Sequence, residues 1–119
     1  MTRMSLALTA AIAAFALAAS AYSAAAPRLN GTVGPTFTIS LKKGGKKVTT
    51  LPHATYTIVV ADRSDFHNFH LKGPGINKNL TQVAFVGTTK PITVTLRPGT
   101  YKFYCVPHQL DMHGSFKVT

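Results

Sequence analysis

The sequence predicts an all-β domain, an antiparallel sandwich or barrel, behind a cleavable N-terminal signal peptide. Short β-branched and aromatic runs recur from residue 36 to residue 118 and are separated by turn residues. No stretch after the leader carries convincing helical periodicity. The first two dozen residues are different in kind, with one basic residue followed by an alanine-rich apolar run.

Arg3 supplies the basic start of that leader and Leu6 to Ala19 its apolar middle. Ala19-Ser20-Ala21 and Ala21-Tyr22-Ser23 both fit a small-x-small cleavage site. The apolar run is shorter than the roughly 20 residues that cross a bilayer. The chain therefore divides into a signal peptide, 1–25, and one domain, 26–119. The protein is expected to be exported, to a periplasm or to the outside of the cell; a retained membrane anchor is the alternative. About 95 residues suffice for one compact core.

Thr36 to Leu41 alternates polar and apolar residues, the period of a half-buried strand. Lys42-Lys43-Gly44-Gly45-Lys46-Lys47 is a basic turn, whose glycines tolerate positive φ and whose lysines can blunt a sheet edge. Thr55 to Ala61 is a β-branched run suited to a buried strand. Asn68 to Leu71 is extended, and Gly73-Pro74-Gly75 ends it. Ile76 to Thr89 reads as loop with a short strand around Val83 to Val86. Ile92 to Leu96 alternates cleanly, Arg97 to Thr100 turns, Tyr101 to Cys105 follows, and Ser115 to Val118 closes the fold. Leu51-Pro52-His53-Ala54-Thr55-Tyr56 faintly echoes Leu96-Arg97-Pro98-Gly99-Thr100-Tyr101. Each is a turn into a strand that starts Thr-Tyr, as at related corners of two sheets.

The chain has no glutamate, and its only acids are Asp62, Asp65 and Asp111. Setting Arg3 aside leaves twelve basic residues against three acidic, a net charge of +9. Such a field steers encounters with acidic surfaces, whether an acidic redox protein, an anionic membrane face or a wall polymer. An exported chain with no aromatic–basic interleaving gives no reason to expect nucleic acid. Cys105 is the only cysteine, so no internal disulfide forms, and a free thiol in an oxidising compartment needs protection.

Cys105-Val106-Pro107-His108-Gln109-Leu110-Asp111-Met112 puts a thiol, an imidazole and a thioether into one short loop. Two further imidazoles lie upstream in Asp65-Phe66-His67-Asn68-Phe69-His70-Leu71. Two imidazoles and a thiolate, with a weak axial thioether, suit an electron-transfer copper. Alternation puts Tyr101, Phe103 and Cys105 on one strand face and Lys102 and Tyr104 on the other. Lysine prefers water, so the thiol points inward, and Pro107 then turns the chain to bring in His108. His67 precedes Asn68 and shares a parity face with Phe69 and Leu71, which favours it over His70 as the upstream ligand. Phe66, Phe69, Phe103 and Phe116 can supply an apolar shell.

Cys-x-x-His-x-x-x-Met-x-Gly-x-Phe-x-Val, preceded by Pro-Gly-Thr-Tyr-x-Phe-Tyr and an upstream His-Asn, resembles the cupredoxins, small blue copper proteins. The resemblance spans Thr36 to Thr119 and implies a Greek-key β-sandwich with one copper at one end. It implies ligands His67, Cys105, His108 and Met112, with Asn68 bracing the ligand loops. The interval from His108 to Met112 departs by one residue from that of plastocyanin. His70 and His113, beside the expected ligands, remain alternative ligands that would move the site towards green or red copper.

The function implied is an exported, monomeric single-electron carrier, with a redox partner that presents an acidic surface; copper storage or delivery is the alternative. Copper enzymes of the superfamily flank the copper cysteine with histidines that bridge to further metals. Here the flanks are Tyr104 and Val106, so no enzyme is expected.

Overall fold

The computed structural model describes residues 25–119; the expected signal segment lies almost wholly outside them. The described chain forms eleven strands: β1 Arg28–Val33, β2 Ile39–Lys43, β3 Lys46–Lys47, β4 Thr50–Leu51, β5 Ala54–Asp62, β6 His70–Gly73, β7 Ile76–Asn79, β8 Gly87–Thr88, β9 Ile92–Leu96, β10 Gly99–Tyr104 and β11 His113–Val118. One 3₁₀ turn, Val106–His108, interrupts them.

The first sheet runs β3-β2-β1-β5, and the far edge of β5 takes β9 along its first half and β8 along its second. The second sheet runs β4-β11-β10-β6-β7. Most pairs are antiparallel, but β1 with β5 and β11 with β4 are parallel. The sheets close as a Greek-key β-sandwich over one core, in which Leu29, Val33, Ile58 and Val60 meet Leu71, Phe103 and Phe116.

β1 has no counterpart in the sequence reading. Its polar letters hide an alternation: Leu29, Gly31 and Val33 are buried, whereas Arg28 and Asn30 are exposed. Glycine fits the middle position because Phe69 lies against it, with its ring 3.0 Å from where a Cβ would sit. β2 begins later than the alternation suggested, at Ile39. Gly34 takes φ +68°, and bonds from Gly34 N to Thr38 O (2.9 Å) and Thr38 N to Thr36 O (2.8 Å) fold residues 34–38 into a loop. The lysine segment is a hairpin, with Lys42 opposite Lys47 and Lys43 opposite Lys46. It lies at the end of β2 away from the Phe37 loop.

The strand expected around Val83 to Val86 is absent. Phe85 N bonds to Gln82 O in a turn, and Val83, Phe85 and Val86 are exposed. Burial selects strands, and these apolar residues have no sheet to cover. The pairing falls instead at Gly87 and Thr88, against Asp62 and Ala61.

The sequence echo has a structural meaning. The Tyr56 hydroxyl donates to the Pro52 carbonyl (2.5 Å). The Tyr101 hydroxyl accepts from Arg97 N (2.9 Å) and donates to Pro74 O (2.8 Å). Each tyrosine thus ties its strand to backbone four residues upstream, as a tyrosine corner does. On the inner face of β10 each aromatic lies over a glycine. A Cβ on Gly73 would meet the Tyr101 ring at 2.3 Å, and one on Gly114 the Phe103 ring at 2.2 Å. Phe103 in turn stacks on Phe69 (5.5 Å between centroids) and Tyr101 on Phe116 (5.3 Å).

Candidate metal centre

The strand alternation along β10 delivers Cys105 into the interior. Tyr101, Phe103 and Cys105 are buried, Lys102 is exposed and Tyr104 half-buried. After Cys105 the chain makes its 3₁₀ turn, with Pro107 at the start where a missing N–H costs nothing. Backbone bonds then close the loop on itself: His108 N to Cys105 O (3.1 Å), Met112 N to His108 O (2.9 Å) and Cys105 N to Met112 O (3.0 Å). Met112 is fully buried, and β11 starts with the next residue.

His67 comes from the segment between β5 and β6. Ser64 N donates to Asp62 Oδ1 (3.2 Å) and Phe66 N to Ser64 Oγ (3.3 Å), which turns the chain out of β5. Phe69 N donates to Thr81 Oγ1 (2.8 Å), and Leu80 N to Phe69 O (2.7 Å), which anchors it on the other side of His67. Gly34 closes over the imidazole: a Cβ there would meet Ser64 Cβ at 3.0 Å and His67 Cδ2 at 3.3 Å.

Three donor atoms converge. His67 Nδ1 lies 3.1 Å from His108 Nδ1. Cys105 Sγ lies 3.7 Å from the first and 3.6 Å from the second. Among the described residues this is the group of metal-ligating side chains that the fold brings together. A point equidistant from the three atoms lies about 2.0 Å from each, which matches metal–imidazole bonds of about 2.0–2.1 Å and falls slightly inside metal–thiolate bonds of about 2.3 Å. Only one hydrogen fits between two nitrogens at 3.1 Å, so a cation is the partner that satisfies all three lone pairs at once.

The electrostatics keep His67 ready to ligate. Burial pushes its pKa below the ordinary histidine value and the neighbouring His108 pushes the same way, with Asp62 opposing. A neutral imidazole is the ligating form. Asp62 is itself held above the usual carboxylate range, chiefly by burial.

Asn68 ties the two segments together. It is fully buried; its Oδ1 accepts from Val106 N (2.7 Å) and its Nδ2 donates to Asn79 Oδ1 (3.0 Å). Phe69, also fully buried, stacks on Phe103 in the core. Of the two alternatives raised from sequence, His70 sits on the outer face of the second sheet, with Nδ1 on Asn79 Oδ1 (2.5 Å) and Nε2 on Asn77 Oδ1 (2.6 Å). His113 is exposed and turns Nδ1 to the Gln109 carbonyl (2.8 Å). Neither joins the cluster.

Phe37 is the site residue that sequence reasoning missed. Its ring packs edge-on to His67 (5.1 Å) and to His108 (4.9 Å), and Phe66 lies 4.3 Å from His67. Both phenylalanines are about half exposed, and Val106 and Leu110 on the ligand loop are exposed apolar residues too. Phe37 read as a strand residue; Gly34-Pro35 just before it was the available sign of a loop.

Fold and cluster together define a β-sandwich protein with a thiolate–imidazole metal centre at one end. The chain matches the copper binding proteins of the plastocyanin/azurin family over residues 32–119, and it belongs to that family. The centre therefore takes one copper ion per chain. No curated protein matches the chain. Among solved structures, a chain from crystal structures of rusticyanin variants superposes with TM-score 0.55 at 26% identity, over 82% of this chain and 80% of that one. Another rusticyanin structure, described as a copper protein, gives 0.52 at 19% identity over 77% and 76%. A chain from a heme-copper terminal oxidase dimer gives 0.53 at 20% identity, covering 77% of this chain and 63% of its own. The last two likenesses speak to fold alone.

Proposed function

We propose that this protein is an exported, monomeric single-electron carrier rather than an enzyme. Residues 1–25 serve as its signal peptide and 26–119 as its working domain. His67 Nδ1, Cys105 Sγ and His108 Nδ1 would hold the copper, with the buried Met112 as the fourth ligand. The observation that carries this reading is the triangle of donor atoms with sides of 3.1, 3.6 and 3.7 Å.

Copper, when bound, supplies the one-electron couple, with no substrate bond made or broken. The chain supplies rigidity and dryness. Asn68 holds the two ligand segments in register, the buried thiol is shielded, and neutral His67 needs no deprotonation before it ligates. Donors held in place in both oxidation states reorganise little when the electron moves. Phe37, Phe66, Val106 and Leu110 form the apolar contact area, and His108, half-buried beneath it, is the point nearest a partner. The net charge of the domain favours a partner with an acidic surface.

The test is the visible absorption and EPR spectrum of the mature protein with one equivalent of Cu(II), followed by its electron self-exchange rate. An intense thiolate-to-copper band with fast exchange is expected. A weak tetragonal spectrum would remove Cys105 from the ligand set, and slow exchange with rapid loss of copper to a chelator would favour copper handling.

A further inference from the structure

The outer face of the second sheet holds a feature that copper ligation does not use. A depression of about 460 Å³ opens between β6, β10, β11 and the ligand loop. Lys72, Lys102, Tyr104, Gln109, His113 and Ser115 line it, with Leu110 at its lip. Strand register sets the arrangement. Lys102 sits directly opposite Lys72 on one side and Ser115 on the other. Tyr104 sits between His70 and His113 in the next row.

Two lysines directly opposite each other repel, and such pairs weaken a sheet. No carboxylate lines the depression to offset them. Asp62 is buried elsewhere, and Asp111, on the same loop as Gln109, is not among the lining residues. Three lining side chains can donate hydrogen bonds: the hydroxyls of Ser115 and Tyr104 and the Gln109 amide.

We infer that this depression binds a free, doubly charged tetrahedral oxyanion, of the sulfate or phosphate class, between Lys72 and Lys102. The anion would bridge the two ammonium groups and turn a repulsive pair into two charge-assisted hydrogen bonds. Tyr104, which walls the site, is bonded to Cys105, so the anion's charge would lie close to the metal centre. By linkage it would bind more tightly when the copper carries the higher charge.

The experiment is a titration of the full chain, ¹⁵N-labelled and in the reduced, diamagnetic state, with sodium sulfate and then phosphate at ionic strength held constant with sodium chloride. Saturable shifts at the Lys102, Tyr104 and Ser115 amides are expected, with no equivalent response to chloride. Lys72→Gln with Lys102→Gln, both at exposed positions, should weaken binding at least tenfold and keep the dispersed spectrum of the folded domain. Lys42→Gln with Lys46→Gln should leave binding unchanged. The inference is overturned by shifts that never saturate, by shifts centred on the lysine hairpin, or by equal binding in the Lys72/Lys102 variant. A response only to phosphatidylglycerol vesicles, and not to the free anions, overturns it as well.

Discussion

The two segments that build the metal centre are held in opposite ways. The Cys105–Met112 loop is held largely by itself, through backbone bonds among Cys105, His108 and Met112. The Ser64–Phe69 segment has little such closure; distant residues hold it, with Gly34 against one side of His67 and Thr81 on the Phe69 amide. A self-closed loop can be read from local sequence, whereas a segment held by remote contacts cannot. Asn68 ties the two together through its bond from the Val106 amide.

The comparison breaks most completely at the shared corner of the triangle. Cys105→Ser keeps the size of the side chain and removes the thiolate. It should abolish the thiolate-to-copper absorption while the far-UV circular dichroism stays that of the folded domain. Next in size is Gly114→Ala, in the strand that returns from the self-closed loop. The added Cβ would stand 2.2 Å from the Phe103 ring, and overpacking of this kind costs about 3 kcal/mol. Thermal unfolding should then shift down by roughly 4–8 °C per kcal/mol.

Asn68→Ala tests the link itself. It leaves the Val106 amide without its partner, a loss of about 1–3 kcal/mol that denaturant unfolding would read. The two segments should also lose alignment, so copper should leave the variant faster when challenged with a chelator. Gly34→Ala acts only on the remotely held segment. It forces a side chain into φ +68° and against His67, at a cost of about 1–2 kcal/mol. Its signature should be a changed copper spectrum with the Cys105–Met112 loop amides unmoved.

The smallest effect is set by protons. His67 has a folded pKa below its ordinary value of about 6.5, so the unfolded chain takes up this proton first. The metal-free protein should therefore lose stability as pH falls from about 6.5 towards the lowered folded value, and regain it on the way back up. Asp62 acts in the opposite sense at more acidic pH. Its folded pKa is raised above about 3.8, so protonation there favours the folded state. Urea unfolding midpoints across this range check both signs.

Much of the sandwich was legible. The clean alternation of Ile92 to Leu96 became β9, the runs at Tyr101 and Ser115 fell in β10 and β11, the β-branched run became β5, and the Thr-Tyr echo marked two hydroxyl-tied corners. β1 was hidden because Gly31 occupies a core position only where Phe69 fills the space it leaves, which no local pattern reveals. Val83 to Val86 misled because apolar letters predict burial only when a sheet stands over them. The convergence of His67 with Cys105 and His108 could be argued from ligand chemistry and the His-Asn pair. The place of Phe37 over both imidazoles could not, since it depends on a loop from the other sheet.

The lone thiol has a practical consequence of its own. Cys105 is wholly inaccessible, so neither an alkylating reagent nor the thiol of a second molecule can reach its sulfur while the loop stays closed. The rate at which iodoacetamide consumes it, or at which covalent dimers accumulate in air, therefore becomes a clock for transient opening of the 105–112 loop. That clock needs no metal, no partner and no chromophore.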